Sequence, residues 1–257
     1  MCTQAVKRVN DTWYLMKTRD PVSWMRYEDE ITLFESPTDK FKKLIIQNPV
    51  PYEDGYYGGI NENGVAFIST FVRTSDDQIS YIRKPYIRLI LDAKNAKEAV
   101  EIIKSFNPKI GGNMFVADEV QCFGIEATAK EYFVEEITES SVKANHFSHL
   151  PDRNLNFDKD PEFEKWSKTH EVRARELVTG IKTLDDCEKL LSDRENCENK
   201  MAICTTPAEA KVFTYSAMIF DTKNKLIRYA QGCPSEVGFK EYSFDKLPGK
   251  HNVKQID

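Results

Sequence analysis

The sequence predicts an α+β chain in which sheets are layered against helices. Three observations carry that prediction. The first 146 residues break into short apolar or alternating runs, rich in β-branched and aromatic residues and separated by turn residues. Two helical patterns follow between residues 160 and 191, and after Ile203 the chain returns to strands. Strands, then helices, then strands again is not the regular alternation of a βαβ fold.

In chain order the candidate strands are CTQAVKRV, TWYLMKTR, EITLFES, KLIIQN, YYGGIN, VAFISTFV, YIRLILDA, GNMFVAD, QCFGIEAT, EYFVEEI and SVKANHF. One helix interrupts them. In NAKEAVEIIKSF, Ala96, Ala99, Val100 and Ile103 recur at helical spacing, and Asn95 with Glu98 has the form of a capping box. The polar stretch HLPDRNLNFDKD is suited to a mobile loop. Asp160-Pro161 then opens a second helix, with Phe163, Trp166, Ala174 and Leu177 on its apolar face and Gly180 as its stop. Thr183 and Asp186 begin a third, which carries Leu184, Cys187, Leu190 and Leu191 on one side. KVFTYSAMIFD and KLIRYAQG are the closing strands, joined by TKNK as a hairpin turn. Gly58-Gly59 and Gly111-Gly112 lack the continuation of a phosphate cradle and read as turn or close-packing glycines. The aromatic residues Trp24, Tyr27, Tyr52, Tyr56 and Tyr57 fit an apolar acyl pocket and core or lid packing equally well.

The first two strands carry the chemistry. If Asn10-Asp11 is a two-residue loop, opposed positions sum to 21, so Val9 faces Thr12 and Cys2 faces Arg19. Cross-strand neighbours have Cβ atoms roughly 4.5 to 5.5 Å apart. Once Met1 is removed, Cys2 offers a thiol and a free α-amine in one residue. The thiolate is the attacking species, and a thiol with a pKa of ~8.5 needs a base and a positive neighbour. The α-amine can take the thiol proton and later return it to a leaving amine, Arg19 can favour the thiolate, and Asp20 can orient the amine. The competing reading is an edge-strand cysteine beside a solvated Arg-Asp pair.

At 257 residues and 40% hydrophobic, the chain is long enough to bury a sizeable core, read here as one domain over 1–257. No run of ~18 apolar residues suggests a membrane span, and no signal-like start is seen, so a cytoplasmic location is expected. The 36 basic and 41 acidic residues are evenly spread, which argues against a nucleic-acid partner. The six cysteines include no C-x-x-C pair, and His149, His170 and His251 have no metal-ligand spacing, so neither a metal nor a cofactor is expected. His146, inside the NHF run, reads as an active-site residue or as a satisfied structural group near a sheet edge. A disulfide between two of the later cysteines stays open.

Several stretches together resemble the N-terminal nucleophile (Ntn) hydrolases of the choloylglycine hydrolase, penicillin V acylase and acyl-coenzyme A:6-aminopenicillanate acyltransferase group. They are MCT followed by KTRD, GGINENGVAFISTFV, GGNMFVADEVQCFGIEAT and KANHF, with AICTTP, FTYSAMIFD and YAQGCPSEVGFKEY pointing to the acyltransferase branch. The resemblance implies a four-layer αββα sandwich of two mainly antiparallel sheets flanked by helices. It implies cleavage or transfer at a linear, non-peptide amide of a small acyl-amide substrate. Cys2 falls on the nucleophile, Arg19 and Asp20 on the neighbouring Arg and Asp, and Asn145 on the asparagine that donates to the oxyanion. Ser69 and Thr70 stand where relatives often carry a second asparagine, and Lys168 or Arg173 stands nearest a further arginine of the acyltransferase type. The Arg-Asp spacing is shortened to adjacency. The expected function is a cysteine Ntn amidohydrolase or acyltransferase, as a monomer or a homo-oligomer. The alternatives are an idle Ntn-fold binding or scaffold protein and a thiol redox protein using Cys2 or Cys233.

Overall fold

A computed structural model describes residues 2–21, 26, 28–47, 56–72, 84–106, 111–151, 161–199 and 201–246. One six-stranded sheet is ordered β10-β1-β2-β11-β12-β13: β1 is Gln4–Val9, β2 Thr12–Arg19, β10 Ser140–Lys143, β11 Ser216–Asp221, β12 Leu226–Gln231 and β13 Lys240–Ser243. The other sheet runs β3 to β9 in chain order: β3 is Glu30–Phe34, β4 Lys43–Gln47, β5 Tyr56–Asn61, β6 Ala66–Thr70, β7 Gly112–Ala117, β8 Cys122–Ala127 and β9 Tyr132–Ile137. All of these neighbours pair antiparallel.

Three apolar clusters define four layers. Trp13, Leu15, Ile46, Ile60, Phe115 and Phe220 fill the space between the sheets. Helices α1 (Lys84–Ile90) and α2 (Ala96–Ser105) cover the outer face of the seven-stranded sheet through Ile87, Ile90, Val100 and Ile103. On the outer face of the six-stranded sheet, α3 (Pro161–Val178) and α4 (Leu184–Leu191) bury Ala174, Val178, Cys187 and Leu190. The order helix, sheet, sheet, helix is the expected αββα sandwich, built because each sheet has two apolar faces to hide. No helix among the described residues is long and apolar enough to cross a membrane.

The local expectations are met where the signal is local. Asn10 takes a positive φ of 54°, and the β1–β2 register runs from Val9↔Thr12 to Gln4↔Lys17. The Asn95 side chain accepts from the Glu98 N–H, while Glu98 accepts from the N–H of Lys94 rather than that of Asn95. Thr183 and Asp186 form a full capping box. Gly58 and Gly59 are close-packing glycines: a Cβ on Gly58 would lie 3.0 Å from the Phe220 ring, and one on Gly59 would lie 2.7 Å from Leu91 Cδ1. The glycine pair lets the facing sheet approach on one side and the segment after α1 on the other.

YIRLILDA is a correction, because the strand expected there is helix α1 and the turn that follows it. Ile87, Ile90 and Leu91 are buried while Leu89 is 46% exposed, which is helical spacing. A short apolar run does not discriminate the two periods. The strand expected over SVKANHF ends at Lys143, and the residues after it turn. The sequence reading also missed α5 (Pro234–Val237) and β13. Cys204 and Cys233 form a disulfide with Cα atoms 6.2 Å apart, so Cys233 is not a free thiol. Most of the expected mobile loop, 152–160, lies outside the described residues, as do Trp24, Tyr27, Tyr52 and the Tyr56 side chain.

Candidate active site

The antiparallel order brings the start of β1, the end of β2, the end of β10, the start of β11 and the end of β12 to one end of the six-stranded sheet. Cys2 stands immediately before β1. The ladder continues past Gln4, since Thr18 N–H donates to Thr3 O at 2.9 Å and Thr3 N–H to Thr18 Oγ1 at 3.1 Å. The ladder thus reaches Thr3 and Thr18, in the register the pairing arithmetic requires, and half-buried Cys2 and Arg19 are the next residues along it.

Asn145 meets Cys2 from the turn after β10. Cys2 N–H donates to Asn145 Oδ1 at 2.8 Å, and Asn145 Nδ2 donates to Thr70 Oγ1 at 2.9 Å and to Phe71 O at 2.6 Å. Asn145 therefore ties the residue-2 nitrogen to the end of β6. The turn itself is held from three directions. Asn145 N–H donates to Ser167 Oγ, Asn113 Nδ2 donates to the carbonyls of Ala144 and His146, and Glu126 accepts from the N–H groups of Ser148, His149 and Leu150. Burial works against the Glu126 charge, yet Lys143 and those three N–H groups hold its carboxyl down at about 2.

Arg19 is nearly inaccessible. Its guanidinium donates to Asp29 Oδ1 at 3.0 Å and to the Tyr57 hydroxyl at 2.7 Å, and lies 3.8 Å from the Tyr57 ring centroid. Asp29 also accepts from Ser216 Oγ and the Tyr229 hydroxyl, each at 2.8 Å, while its N–H donates to Gln231 Oε1. Lys17, two residues before Arg19 on the same face of β2, donates to Tyr57 O at 2.9 Å. Burial raises the Asp20 carboxyl to about 6 against the pull of the Thr214 hydroxyl, Arg19 and Lys17. Burial likewise raises Asp29 above its ordinary range, opposed by Arg19, Ser216 and Tyr229. A cleft of about 290 Å³ opens onto Asp29, Tyr229 and Gln231.

From α3, His170 Nδ1 lies 2.9 Å from Thr3 Oγ1, and burial pushes the imidazole down to about 3, so it is neutral. Of the residues expected at the site, Cys2, Asn145 and Thr70 are joined by hydrogen bonds, and Arg19 and Asp20 lie at the same end of the six-stranded sheet. Ser69 is the β6 neighbour of Thr70 and pairs with Met114. Arg173 is not brought there: its guanidinium is bound by Asp193, Glu176 and Glu195. Lys168 pairs with Glu164 on its own helix. The residues the sequence reading missed are Asp29, which meets Arg19, and Ser216 and Tyr229, which donate to Asp29; they stand 10 to 210 positions beyond Arg19 and leave no spacing signal. His170 was weighed only as a metal ligand. Among the described residues no cluster of His, Cys, Asp and Glu has the makings of a metal site.

Compared with protein families, residues 6–236 match that of acyl-coenzyme A:6-aminopenicillanic acid acyl-transferase. The chain belongs to this family. Among solved structures, this acyltransferase-family chain is similar to penicillin V acylase from Agrobacterium tumefaciens, with a TM-score of 0.58 and 16% identity over 96% of this chain and 87% of that one. A variant of conjugated bile acid hydrolase from Clostridium perfringens gives 0.56 and 12% over 98% of both chains. The N-acylethanolamine-hydrolyzing acid amidase ortholog of Caenorhabditis elegans gives 0.57 and 13% over 85% and 92%. The fold of the family member described here is thus the Ntn hydrolase fold. Curated protein sequences yield no match. The family match begins at residue 6, four residues after Cys2.

Proposed function

We propose that the chain is a cysteine Ntn amidohydrolase or acyltransferase that cleaves linear, non-peptide amides through an acyl-enzyme at Cys2. One observation carries the reading: the nitrogen of Cys2 is already held, 2.8 Å from Asn145 Oδ1, at the sheet end where β2 closes on Arg19 and Asp20 follows. On removal of Met1 that same nitrogen becomes the α-amine.

The amine takes the thiol proton as sulfur attacks the amide carbon, forming the C–S bond and a tetrahedral oxyanion. Collapse breaks the C–N bond, and the proton passes from the ammonium to the leaving amine. Water or a second amine then attacks the thioester and releases Cys2. Asn145 keeps the amine oriented throughout. The oxyanion role implied for its amide is filled by exchanging the bond to Phe71 O for one to the developing charge. Ionised Asp20 favours the ammonium formed in the first step. The similar structures, named as an acylase, a hydrolase of a conjugated acid and an amidase, agree with acyl-amide chemistry.

The test is turnover of a simple acyl-amide probe by the Met1-free protein, verified by intact mass. Cys2→Ser and Cys2→Ala should both fold and lose turnover, and wild type should accumulate an acyl adduct of Cys2. Full activity in the alanine variant would end the proposal. Product analysis with and without an added amine separates hydrolysis from transfer.

A further inference from the structure

Arg19 does not stand as a bare positive charge beside the nucleophile. Its guanidinium meets Asp29 at 3.0 Å with both side chains buried, and Asp29 is held in turn by Ser216, Tyr229 and its own N–H bond to Gln231. We propose that Asp29 is a positioning residue for Cys2: it fixes the guanidinium of Arg19 against Tyr57 and balances its charge. The inference deepens the function proposed above and rests on Cys2 being its nucleophile.

The surroundings of Cys2 make this balance consequential. From β2 come Arg19 and Lys17, and from the residue after it Asp20; from α3 comes His170, which meets the neighbouring Thr3 and is neutral; and from the turn after β10 comes Asn145, which is uncharged. Adding Asp29 makes two side-chain cations and two carboxylates, beside the α-amine that Cys2 itself carries once Met1 is removed. Take Asp29 away, and the buried group at this end of the sheet gains one net positive charge. A nearby uncompensated charge in a poorly solvated place moves an ionisation by one unit or more. The β2 register fixes the arrangement, since Arg19 pairs with Ser216 across the β2–β11 ladder and the Ser216 hydroxyl donates to Asp29. Asp29 is thereby anchored to the strand beside the one that carries Arg19.

The experiment reads the pH dependence of Cys2 alkylation by iodoacetamide, localised by peptide mass, in wild type, Asp29→Asn, Asp29→Glu and Arg19→Met. Asp29→Asn should move the midpoint down by about one unit. Asp29→Glu, which keeps the charge, should stay near wild type, and Arg19→Met should move it up. Should Asp29→Asn fail to fold, Arg19→Met is compared with Arg19→Met/Asp29→Leu, because replacing a buried ion pair with apolar groups is often tolerated. Adding Asp29→Leu should then bring the raised midpoint back down. An unmoved midpoint in folded Asp29→Asn, or an unmoved midpoint on adding Asp29→Leu, overturns the proposal. A purely structural Asp29 would lower the melting temperature and leave the midpoint alone. Alkylation needs no substrate, so a wild type that fails to turn over amides sinks the proposed function while the role of Asp29 is still decided.

Discussion

At the scale of the residue, the site is a set of buried charges whose balance matters more than any one of them. Asp20 illustrates this, since burial lifts its carboxyl to about 6 despite two neighbouring cations. In the proposed mechanism its ionised form is the one that favours the ammonium of the first step, and that form is lost as pH falls through about 6. The kcat/KM profile of the Met1-free enzyme should therefore have an acid limb near pH 6, and Asp20→Asn should remove the limb and lower the plateau. A limb unchanged in Asp20→Asn assigns it to another group. Tyr57 shows how a residue can serve two ends. It takes its place in the core packing that its aromatic character suggested, and its ring and hydroxyl both grip Arg19.

The elements divide by how local their signals are. The β1–β2 hairpin was legible because its register follows from one turn, with Asn10 adopting the conformation that turn needs. α2 and α4 were legible because cap and apolar stripe agree. α1 was misread because its β-branched run carries no such cap, and its helical face is decided by the sheet it covers. That face predicts a contrast between neighbours. Ile90, fully buried, should cost about 2 to 5 kcal/mol on truncation to alanine. Leu89→Ala, at a position 46% exposed, should change stability by about 0.5 kcal/mol or less. Denaturant melts of the two variants check it, and equal losses would place the helix face elsewhere.

Across the whole molecule, buried ionic groups pull stability in opposite directions with pH. Glu126 and Asp39 are each held at about 2, against their burial, by Lys143 with three N–H groups and by Arg88 with Lys43. Their contributions are full above their ordinary values of 4.5 and 3.8 and drain away as pH falls towards 2. Asp20 has the reverse sign, contributing below its ordinary 3.8 and losing that contribution as pH rises through about 6. Asp29, also raised by burial, shares the sign of Asp20, whereas His170, held neutral by burial, loses stability as pH falls, like Glu126 and Asp39. Below about pH 4.5 these last three dominate, so the protein should be acid-labile between about pH 4.5 and 2. Glu126→Gln, which frees the turn carrying Asn145, should lower the melting temperature at neutral pH and flatten its acid dependence. Thermal melts from pH 2 to 7 measure both.

By itself the sequence determined the strand-rich frame and the β1–β2 register, and it drew attention to the Asn-His-Phe stretch through a family resemblance. Each rests on period, turn chemistry or a short motif, and these act over a few residues. Tertiary structure alone decided that Arg19 is neutralised by Asp29, that Asn145 grips the nitrogen of Cys2, that Cys204 meets Cys233, and that Arg173 turns to Asp193. Those contacts join residues from 10 to 143 positions apart. Burial, which sets the strength of every charge among them, exists only once the two sheets have closed on each other.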